Sequence, residues 1–590
     1  MTPVGSSSTK LIALVAAIGL GVAGLALWNA THRTPLVDSA VSVPPAAAAP
    51  GTPAASSEGS LGATGATGET VGASPAGPIR GNPRDRDMTA SSAAFQVYQE
   101  GLGLLDRLPI QAAARFRKSV LLDPAFAPGH YRLAMTDVLV SRQDEAKVAI
   151  KAAALNQDRL PEPYRTSMPV LTLFIDGAFD LVMASMREAL ARQPAGADLH
   201  YMAGTISARV CDYFDPNSVI EHFEQVLAVE PDYPGVRAAL MEAYEMKGMH
   251  DWRLSRAQEN QAHHPDSTDA IAETGRARIA RGEYGDAMEA ADEVVRRGED
   301  VFANGLAPVF ILTGHHEQLA SMYDPEMERT NSALTNVLTH LHAGINDVWA
   351  GRFSKALEHF ERGPEFLPAP WEKSARARFL LLLGRTHSLL GRTREANAAF
   401  EAAETTAGPQ PVLEYSLGRN LLKAGSRADA ERVVHRLSQE SRPSQPGWTE
   451  PWRSLMMGEI ALASGDAARA LDAFREAWQF EEPLALDCIA GHTEAYFLDA
   501  LGRGYLAAGM PAEALQSYER IRALGVKGLY QPEIEVLSQY YSGRALEAMG
   551  KDDEAATRYL QFLKLWGSAD NEPAEVADAK SRMRGKSTSR

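Results

Sequence analysis

Apolar residues recur at helical spacing from about residue 90 to residue 580, and small residues interrupt them at fixed intervals. The stretch 501–518, LGRGYLAAGMPAEALQSY, shows the pattern. Gly502 lies in a first apolar run, Gly509 follows seven residues later, Ala514 five beyond that, and Tyr518 four further on. Residues 274–291, 383–400 and 417–434 follow the same template. Apolar periods of this kind on either side of a turn glycine predict pairs of amphipathic helices.

The two small residues of the template are needed for different structural reasons. A small residue in the first helix lets the two helices approach closely, although glycine there costs about 1 kcal/mol of helix propensity. The turn glycine permits a left-handed helix end. The packing residues are Ala134, Gly204, Gly275, Gly344, Gly384, Gly418, Gly458, Gly502 and Gly543. The turn glycines are Gly282, Gly351, Gly391, Gly425, Gly465, Gly509 and Gly550.

The second helix contributes an alanine and then, one turn later, an aromatic residue. The alanine is expected to lie under a neighbouring helix, and the aromatic residue to fill the gap between repeats. The alanines are Ala112, Ala146, Ala287, Ala356, Ala396, Ala430, Ala470, Ala514 and Ala555. The aromatic residues are Phe116, Phe223, Phe360, Phe400, Phe474, Tyr518 and Tyr559.

This spacing resembles the tetratricopeptide repeat (TPR), a helix–turn–helix unit of roughly 34 residues. The resemblance covers most of the chain beyond residue 88 and implies an all-α fold, a right-handed TPR-like α-solenoid. We expect an N-terminal arm over 89–299 and a degenerate repeat or joint over 300–335. A C-terminal arm over 336–583 and a frayed basic tail over 584–590 should follow.

The N-terminus predicts a membrane anchor. After a short tail, 1–10, comes an uncharged apolar run over 11–28, close to the roughly 20 residues that cross a bilayer as a helix. The alternative is a cleaved signal peptide, but bulky Trp28 stands where a small residue should precede cleavage after Ala30, which favours an uncleaved transmembrane helix. Residues 29–88 are rich in Pro, Ala, Gly and Ser, so we expect a disordered linker.

Charge and motif content argue against several function classes. The 590 residues carry a formal net charge of -16, which disfavours nucleic acid as a partner because phosphates require a basic face. Cys211 and Cys488 are the only cysteines, too few for a disulfide framework or a thiolate metal cage. H-E-x-x-H, G-x-S-x-G and the phosphate-loop motif are absent. We therefore predict no catalytic residue, metal site or cofactor, and a protein that is not an enzyme.

Close histidine pairs offer only weak candidates for a metal or pH-sensitive site. His315 and His316, beside Glu317, could serve either role, but exposed loop histidines are the favoured interpretation. His340 and His342 lie two residues apart, on roughly opposed faces of a helix, and lack metal-ligand spacing.

Arginine and tyrosine recur on one side of the predicted first helices. The residue after the packing glycine is arginine in five repeats, and the position four earlier is tyrosine in several. In TPR proteins this side lines a concave groove, so the resemblance implies a surface for peptide carboxylates and backbone. The alternative is that each arginine pairs with acidic side chains of adjoining helices. The candidate binding residues are Arg276, Arg385, Arg419, Arg503, Arg544, Tyr131, Tyr201, Tyr415 and Tyr540.

A second resemblance concerns topology. Residues 159–194 and 561–583 resemble the TPR half of bacterial membrane-spanning regulators, which join it through one membrane helix to a winged-helix or Ser/Thr kinase domain. Only ten residues precede the apolar run here, so we expect neither output. The resemblance implies a single-pass protein of the bacterial inner membrane with its repeats in the periplasm.

Two functional hypotheses follow. The leading one is a membrane-anchored, non-enzymatic scaffold that binds partner proteins or peptides in its concave groove. The alternative is a sensory or regulatory subunit of a membrane signalling system that binds a ligand between the two solenoid arms. An enzyme ranks third, and the sequence leaves the oligomeric state open.

Overall fold

The computed structural model is built of α-helices, as the repeat pattern predicts. It describes residues 82–105, 109–139, 142–209, 215–230, 247–263, 265–329, 333–367, 373–439, 447–479, 486–487 and 489–587, together with Tyr233, Val236, Leu240, Ala243 and Tyr244. The predicted membrane run 11–28, most of the linker 29–88, and both cysteines lie outside these residues. None of the described helices combines the length and the hydropathy that crossing a bilayer requires.

The helices follow one another as short antiparallel pairs. The first eight are α1 (Ser92–Leu104), α2 (Pro109–Leu122), α3 (Ala127–Leu139), α4 (Gln143–Leu155), α5 (Tyr164–Asp176), α6 (Phe179–Arg192), α7 (Ala197–Arg209) and α8 (Pro216–Val229). The next five are α9 (His250–His263), α10 (Thr268–Arg281), α11 (Tyr284–Arg296), α12 (Ala307–Leu312) and α13 (His316–Ser321).

The C-terminal arm continues the same architecture. Its helices are α14 (Ala333–Trp349), α15 (Phe353–Arg362), α16 (Lys373–Leu389), α17 (Thr393–Ala407), α18 (Pro411–Lys423), α19 (Arg427–Gln439), α20 (Glu450–Ala463), α21 (Ala467–Trp478), α22 (Glu494–Ala507), α23 (Pro511–Arg522), α24 (Pro532–Ala548), α25 (Asp552–Trp566) and α26 (Ala574–Ser587). Two short strands, β1 (Leu486–Asp487) and β2 (Gly491–His492), pair antiparallel before α22.

The predicted close approach of paired helices is confirmed at the packing glycines. A Cβ atom added to Gly458 would lie 2.3 Å from the ring of Phe474, and one added to Gly344 would lie 2.4 Å from the ring of Phe360. The same contact joins Gly204 to Phe223, Gly384 to Phe400, Gly502 to Tyr518 and Gly543 to Tyr559. Each aromatic residue thus packs on the glycine of its own pair. The ring occupies the space that the missing side chain leaves. At Phe474 it also fills the gap between repeats, since a Cβ atom added to Gly504, in the first helix of the next pair, would lie 2.8 Å from that ring.

The turn glycines and the alanines also take their predicted places. The seven turn glycines have φ between 70° and 78°, the left-handed region that other residues enter only with strain. The nine alanines of the second helices are fully buried, each with 0% exposure. The pattern therefore identified the residues that set both the turn and the spacing of each pair.

Two segments depart from regular pairs. Within 300–335, α12 and α13 are only six residues each, and buried Phe302, Leu306 and Phe310 pack among them. Residues Pro83–Met88, at the end of the predicted linker, form a 3-10 helix. Asp85 of that helix is fully buried and accepts hydrogen bonds from the hydroxyls of Tyr98 and Tyr164. These bonds extend the folded part of the chain to the N-terminal side of residue 89.

The C-terminal arm closes on itself. Helix α24 contacts α14, and one hydrophobic core cluster unites residues 271–382, which include the predicted joint and the end of the predicted N-terminal arm, with residues 529–579. Trp566 donates from its indole Nε1 to the carbonyl oxygen of Val348 at 2.9 Å. Asp570 accepts from the backbone N–H groups of Phe353 and Ser354, both at 2.9 Å, and so caps the N-terminus of α15. The sequence pattern did not predict this contact between the two ends of the arm.

The glycine–ring contact predicts the effect of adding one methyl group. Gly458→Ala should lower the stability of the C-terminal arm by about 1–3 kcal/mol, because the new Cβ atom would overlap the Phe474 ring. Thermal unfolding followed by circular dichroism measures the loss. Adding Phe474→Leu to Gly458→Ala should recover part of it.

Gly285→Ala is the matched control for this substitution. Gly285 lies in the first turn of α11, and a Cβ atom there would have open space around it. The control should leave the melting temperature unchanged or raise it slightly, since alanine favours the helix. Equal losses in the two variants would contradict the packing account.

Candidate functional site

The packing glycines position the predicted arginines. Arg385, Arg419 and Arg503 directly follow a packing glycine in α16, α18 and α22. One residue along a helix turns the side chain by about 100°, so the arginines leave the seam between paired helices and share one side of the array. We call this side of α16, α18, α20, α22 and α24 the inner face. It carries Arg385, Arg419, Glu459, Arg503 and Glu533.

Five of the inner-face side chains form what we call the Glu459 network: Tyr415, Arg419, Glu459, Asp499 and Arg503. Arg503 donates to both carboxylate oxygens of Glu459, at 2.6 and 2.8 Å, and to Asp499 at 3.0 Å. Arg419 lies 3.4 Å from Glu459 and 3.5 Å from Asp499. The Tyr415 hydroxyl donates to Glu459 at 2.7 Å. The network thereby connects three successive first helices.

The charges of the Glu459 network hold its acid ionised although it is buried. Burial by itself would raise the pKa of Glu459, but the charges of Arg503 and Arg419 outweigh it and lower that pKa to about 2. The Arg419 side chain keeps 26% of its surface exposed, against 14% for Arg503. Arg419 is therefore the member of the network that a binding partner reaches most easily.

Arg385 takes part in the closure of the arm. Its Nε donates to Glu533 Oε1 at 2.7 Å, and a terminal amino group donates to the backbone carbonyl of Tyr530 at 2.9 Å. Its guanidinium also lies over the ring of Tyr496, 5.2 Å from the centroid. These contacts join α16 to the first turn of α24 and to the segment before it.

Arg385, Arg419 and Arg503 thus share one side of the first helices, and all three form ion pairs within the chain. The pairing with acidic residues of adjoining helices, the alternative interpretation, is what the structure shows for these three residues. Binding of a peptide by them stays a prediction. An incoming carboxylate would have to share the arginines with Glu459, Asp499 or Glu533.

The other two predicted arginines lie elsewhere along the array. Arg276 donates to the backbone carbonyl of Asn304 at 2.8 Å. Arg544 donates to the Tyr540 hydroxyl at 3.1 Å, and that hydroxyl donates to Asp578 of α26 at 2.7 Å. Helix α26 therefore covers the first helix of the last pair at these positions.

The N-terminal arm has a separate buried polar cluster around Asp198. The Tyr131 hydroxyl donates to Asp198 at 3.0 Å, and Arg132 forms an ion pair with it at 3.1 Å. Tyr201 lies against the ring of Tyr233, with centroids 5.0 Å apart. The structure brings Tyr131 and Tyr201 into one arm, and Tyr415 and Tyr540 into the other. Sequence reasoning missed Arg132, which follows a tyrosine instead of a packing glycine.

Lys423 is a second residue that the template did not single out. It ends α18, one turn beyond Arg419, and its ammonium lies 3.2 Å from the Ser388 hydroxyl. Lys423 is exposed. The surrounding protein lowers its pKa to about 8, Arg419 adds to the effect and Glu575 opposes it. Its position after Arg419 on the same helix face was the available sequence signal.

The structure corrects the interpretation of His316, whereas His315 is exposed as expected. His316 is buried, not an exposed loop residue, and its Nδ1 lies 2.9 Å from the side-chain oxygen of Asn346 in α14. His340 and His359 face each other, with 2.9 Å between their Nδ1 atoms. The described part of the chain contains no group of three or more His, Cys, Asp or Glu residues that could hold a metal ion.

One pair of the array has a counterpart among known protein families. Residues 537–567 match the family model of the tetratricopeptide repeat. The matched segment runs from within α24 through α25, and it contains the packing glycine, turn glycine, alanine and aromatic residue of that pair. No curated protein matches the chain.

Several solved structures are similar to this chain, but at low sequence identity and low TM-score. Human IFIT1, as a dimer with m7Gppp-AAAA, is 14% identical with a TM-score of 0.36, over 74% of this chain and 90% of that one. The Cut9–Hcn1 hetero-tetramer of the APC/C is 13% identical with a TM-score of 0.27, over 85% and 98%. A TPR protein of Parabacteroides merdae is 14% identical with a TM-score of 0.27, over 52% and 98%. At these scores the similarities support no conclusion about function.

The Glu459 network predicts a stability loss that depends on pH. Glu459→Gln should destabilise the C-terminal arm by roughly 3 kcal/mol at pH 7, because two arginines would lose a shared carboxylate. The pKa of Glu459 is lowered from 4.5 to about 2, so its contribution is complete above pH 4.5 and is lost as the pH falls toward 2. The melting-temperature difference between wild type and variant should stay constant down to about pH 5 and shrink below it.

Glu431→Gln is the control for a surface ion pair. Glu431 pairs with Arg427 four residues earlier on α19, and both side chains are more than half exposed. Its loss should cost less than about 0.5 kcal/mol. If the two variants lose equal stability at pH 7, the Glu459 network does not hold the first helices together.

Proposed function

We propose that the protein is a membrane-anchored, non-enzymatic TPR scaffold that binds acidic segments of partner proteins on its inner face. The observation that carries the proposal is the accessible positive charge of Arg419 and Lys423 in a chain whose net charge is -16. Cations on the inner face attract a carboxylate-bearing segment.

The helix-pair architecture supports the protein-binding part of the proposal. The chain contains a TPR match over 537–567, and the same packing positions recur in the other pairs. Arrays of helix pairs present extended concave surfaces that suit peptide segments. The family match names no catalytic class, and we propose no reaction.

The N-terminal sequence supports the anchoring part. The apolar run 11–28 has the length of a membrane helix, and the Pro- and Ala-rich residues after it suit a tether. We propose a single pass through a bacterial inner membrane with the array in the periplasm.

The alternative hypothesis, a ligand site between the two arms near 300–335, gains less support. His316 and Asn346 in this region are buried and bonded to each other, and Arg352 pairs with Glu317. These polar side chains bond to one another, so they are not free to bind a ligand.

Site-specific photocrosslinking tests partner binding. A photoreactive residue in place of Lys423 in the membrane-embedded full chain should form adducts with a partner. The same residue in place of Arg432, on the outer helix α19 of the same pair, should not. Charge reversal by Lys423→Glu should reduce copurification of the partner so identified by tenfold or more, as an order of magnitude for lost attraction and new repulsion. Adducts mainly from position 432 would contradict inner-face binding.

A reporter fusion tests the anchoring and the compartment. Alkaline phosphatase, active only outside the cytoplasm, should be active and membrane-bound when fused to the C-terminus of the full chain. Deletion of residues 1–28 should abolish that activity. In a second fusion, a reporter that fluoresces only in the cytoplasm replaces the phosphatase at the C-terminus. Fluorescence from that fusion would overturn the proposed orientation.

A further inference from the structure

The segment of residues 83–88, which precedes the first helix pair, is anchored on the array by one fully buried side chain. That side chain is Asp85, with 0% exposure. Its neighbours Arg84, Arg86 and Asp87 are exposed. The segment therefore lies on the surface of the N-terminal arm and inserts one acidic side chain into it.

The partners of Asp85 lie on the first helices of three successive pairs. Its Oδ2 accepts from the Tyr98 hydroxyl of α1 at 2.7 Å and from the Tyr164 hydroxyl of α5 at 3.1 Å. Arg132 of α3 donates to the Tyr164 hydroxyl at 3.2 Å, so that hydroxyl uses its own proton for Asp85. We call Tyr98, Arg132 and Tyr164 the Asp85 site.

Tyr98 has the same template position as the candidate binding tyrosines. It lies three residues before Gly101, and a Cβ atom added to Gly101 would lie 2.7 Å from the Phe116 ring. Tyr131 and Tyr415 also lie three residues before the packing residues of their pairs. The Asp85 site therefore shares one side of the first helices with these tyrosines.

The source of the acid distinguishes the Asp85 site from the other two. Tyr131 donates to Asp198 of α7 at 3.0 Å, and Tyr415 donates to Glu459 of α20 at 2.7 Å. In both cases the acid belongs to a helix of the array. At Tyr98 the acid comes from a segment that lies outside the helix pairs.

Asp85 is held in its site at a cost in free energy. Burial raises the pKa of Asp85 to about 6, although the three side chains of the site and the backbone of Asn82 act to lower it. At neutral pH the buried carboxylate is ionised, and its desolvation opposes docking of the segment. Withdrawal of the segment would leave Arg132 paired with Asp198 at 3.1 Å and would free both tyrosine hydroxyls.

We propose that residues 83–88 are an internal occupant of a peptide-binding site, and that a carboxylate-bearing segment of a partner protein displaces them. The partner's aspartate or glutamate would take the place of Asp85, because two hydroxyl donors converge on one carboxylate oxygen beside a buried arginine. The internal segment is joined directly to α1, so it competes at a high local concentration. The inference does not depend on partner binding at Arg419 or Lys423, which belong to the other arm.

Fluorescence anisotropy of a labelled peptide tests this competition on the full chain in detergent. The peptide copies residues 80–90. It should bind the Asp85→Ala chain at least about tenfold more tightly than the wild type, because the internal segment of that variant has lost its anchor. Asp87→Ala is the matched control, since it removes an exposed acid of the same segment. It should bind the peptide as weakly as the wild type.

Two altered peptides test the chemistry of the site. The first replaces only the aspartate at position 85 with alanine, and it should not bind the Asp85→Ala chain. The second keeps that aspartate and replaces every other residue with glycine or serine, and it should still bind. Adding Tyr164→Phe to the Asp85→Ala chain should weaken binding of the second peptide by about tenfold, the value of one hydrogen bond to a charged group.

Hydrogen exchange of the wild type gives a measurement that needs no variant. An excess of the glycine–serine peptide should speed amide exchange within residues 83–88, and the alanine peptide should leave it unchanged. Equal binding of the copied peptide to the wild type and to Asp85→Ala would overturn the proposal. So would rejection of the glycine–serine peptide by Asp85→Ala, or, where that variant does not fold, unchanged exchange in the wild type.

Discussion

The structure depends on the contact between an aromatic ring and the bare backbone of a glycine in the facing helix. At Gly344, Gly384 and Gly458 the ring occupies the volume in which a side chain would stand. The contact fixes how far apart the two helices of a pair lie and how each is rotated about its axis. Rotation then determines which residues face inward. Arg385 and Arg503 directly follow glycines of this kind, and Arg419 follows Gly418, which packs on Met456 and Val433 instead of a ring. The positions of the inner-face arginines are therefore set by the packing of apolar residues.

On the inner face, the proposed binding of a partner and the ion pairs within the chain would compete for the same residues. The Glu459 network uses most of its charge to join successive first helices, which leaves the cations paired before any partner arrives. A partner therefore gains less from Arg503 than from a free guanidinium. Lys423 differs from this pattern, since it is exposed and its ammonium contacts the Ser388 hydroxyl instead of a carboxylate.

The sequence was informative where one helix pair decides the outcome. Spacing alone identified the packing glycines, the left-handed turns and the buried alanines, because each depends on residues fewer than twenty positions apart. It failed where a third element decides. His316 is buried by Asn346 of α14, and the arm is closed by Trp566 and Asp570, far along the chain from their partners. The roles of the predicted arginines depended on which acids the next helix presents.

The cap that Asp570 places on α15 has a consequence for the order of folding. The N-terminal core is composed of residues 98–243, so it can form while the ribosome is still making the rest. Helix α15 lacks a side-chain cap of its own and receives Asp570 from 217 residues downstream. During synthesis, the N-terminus of α15 therefore lacks its side-chain cap until residue 570 has been made. For that interval the apolar residues of 271–382 also lack the residues 529–579 on which they pack.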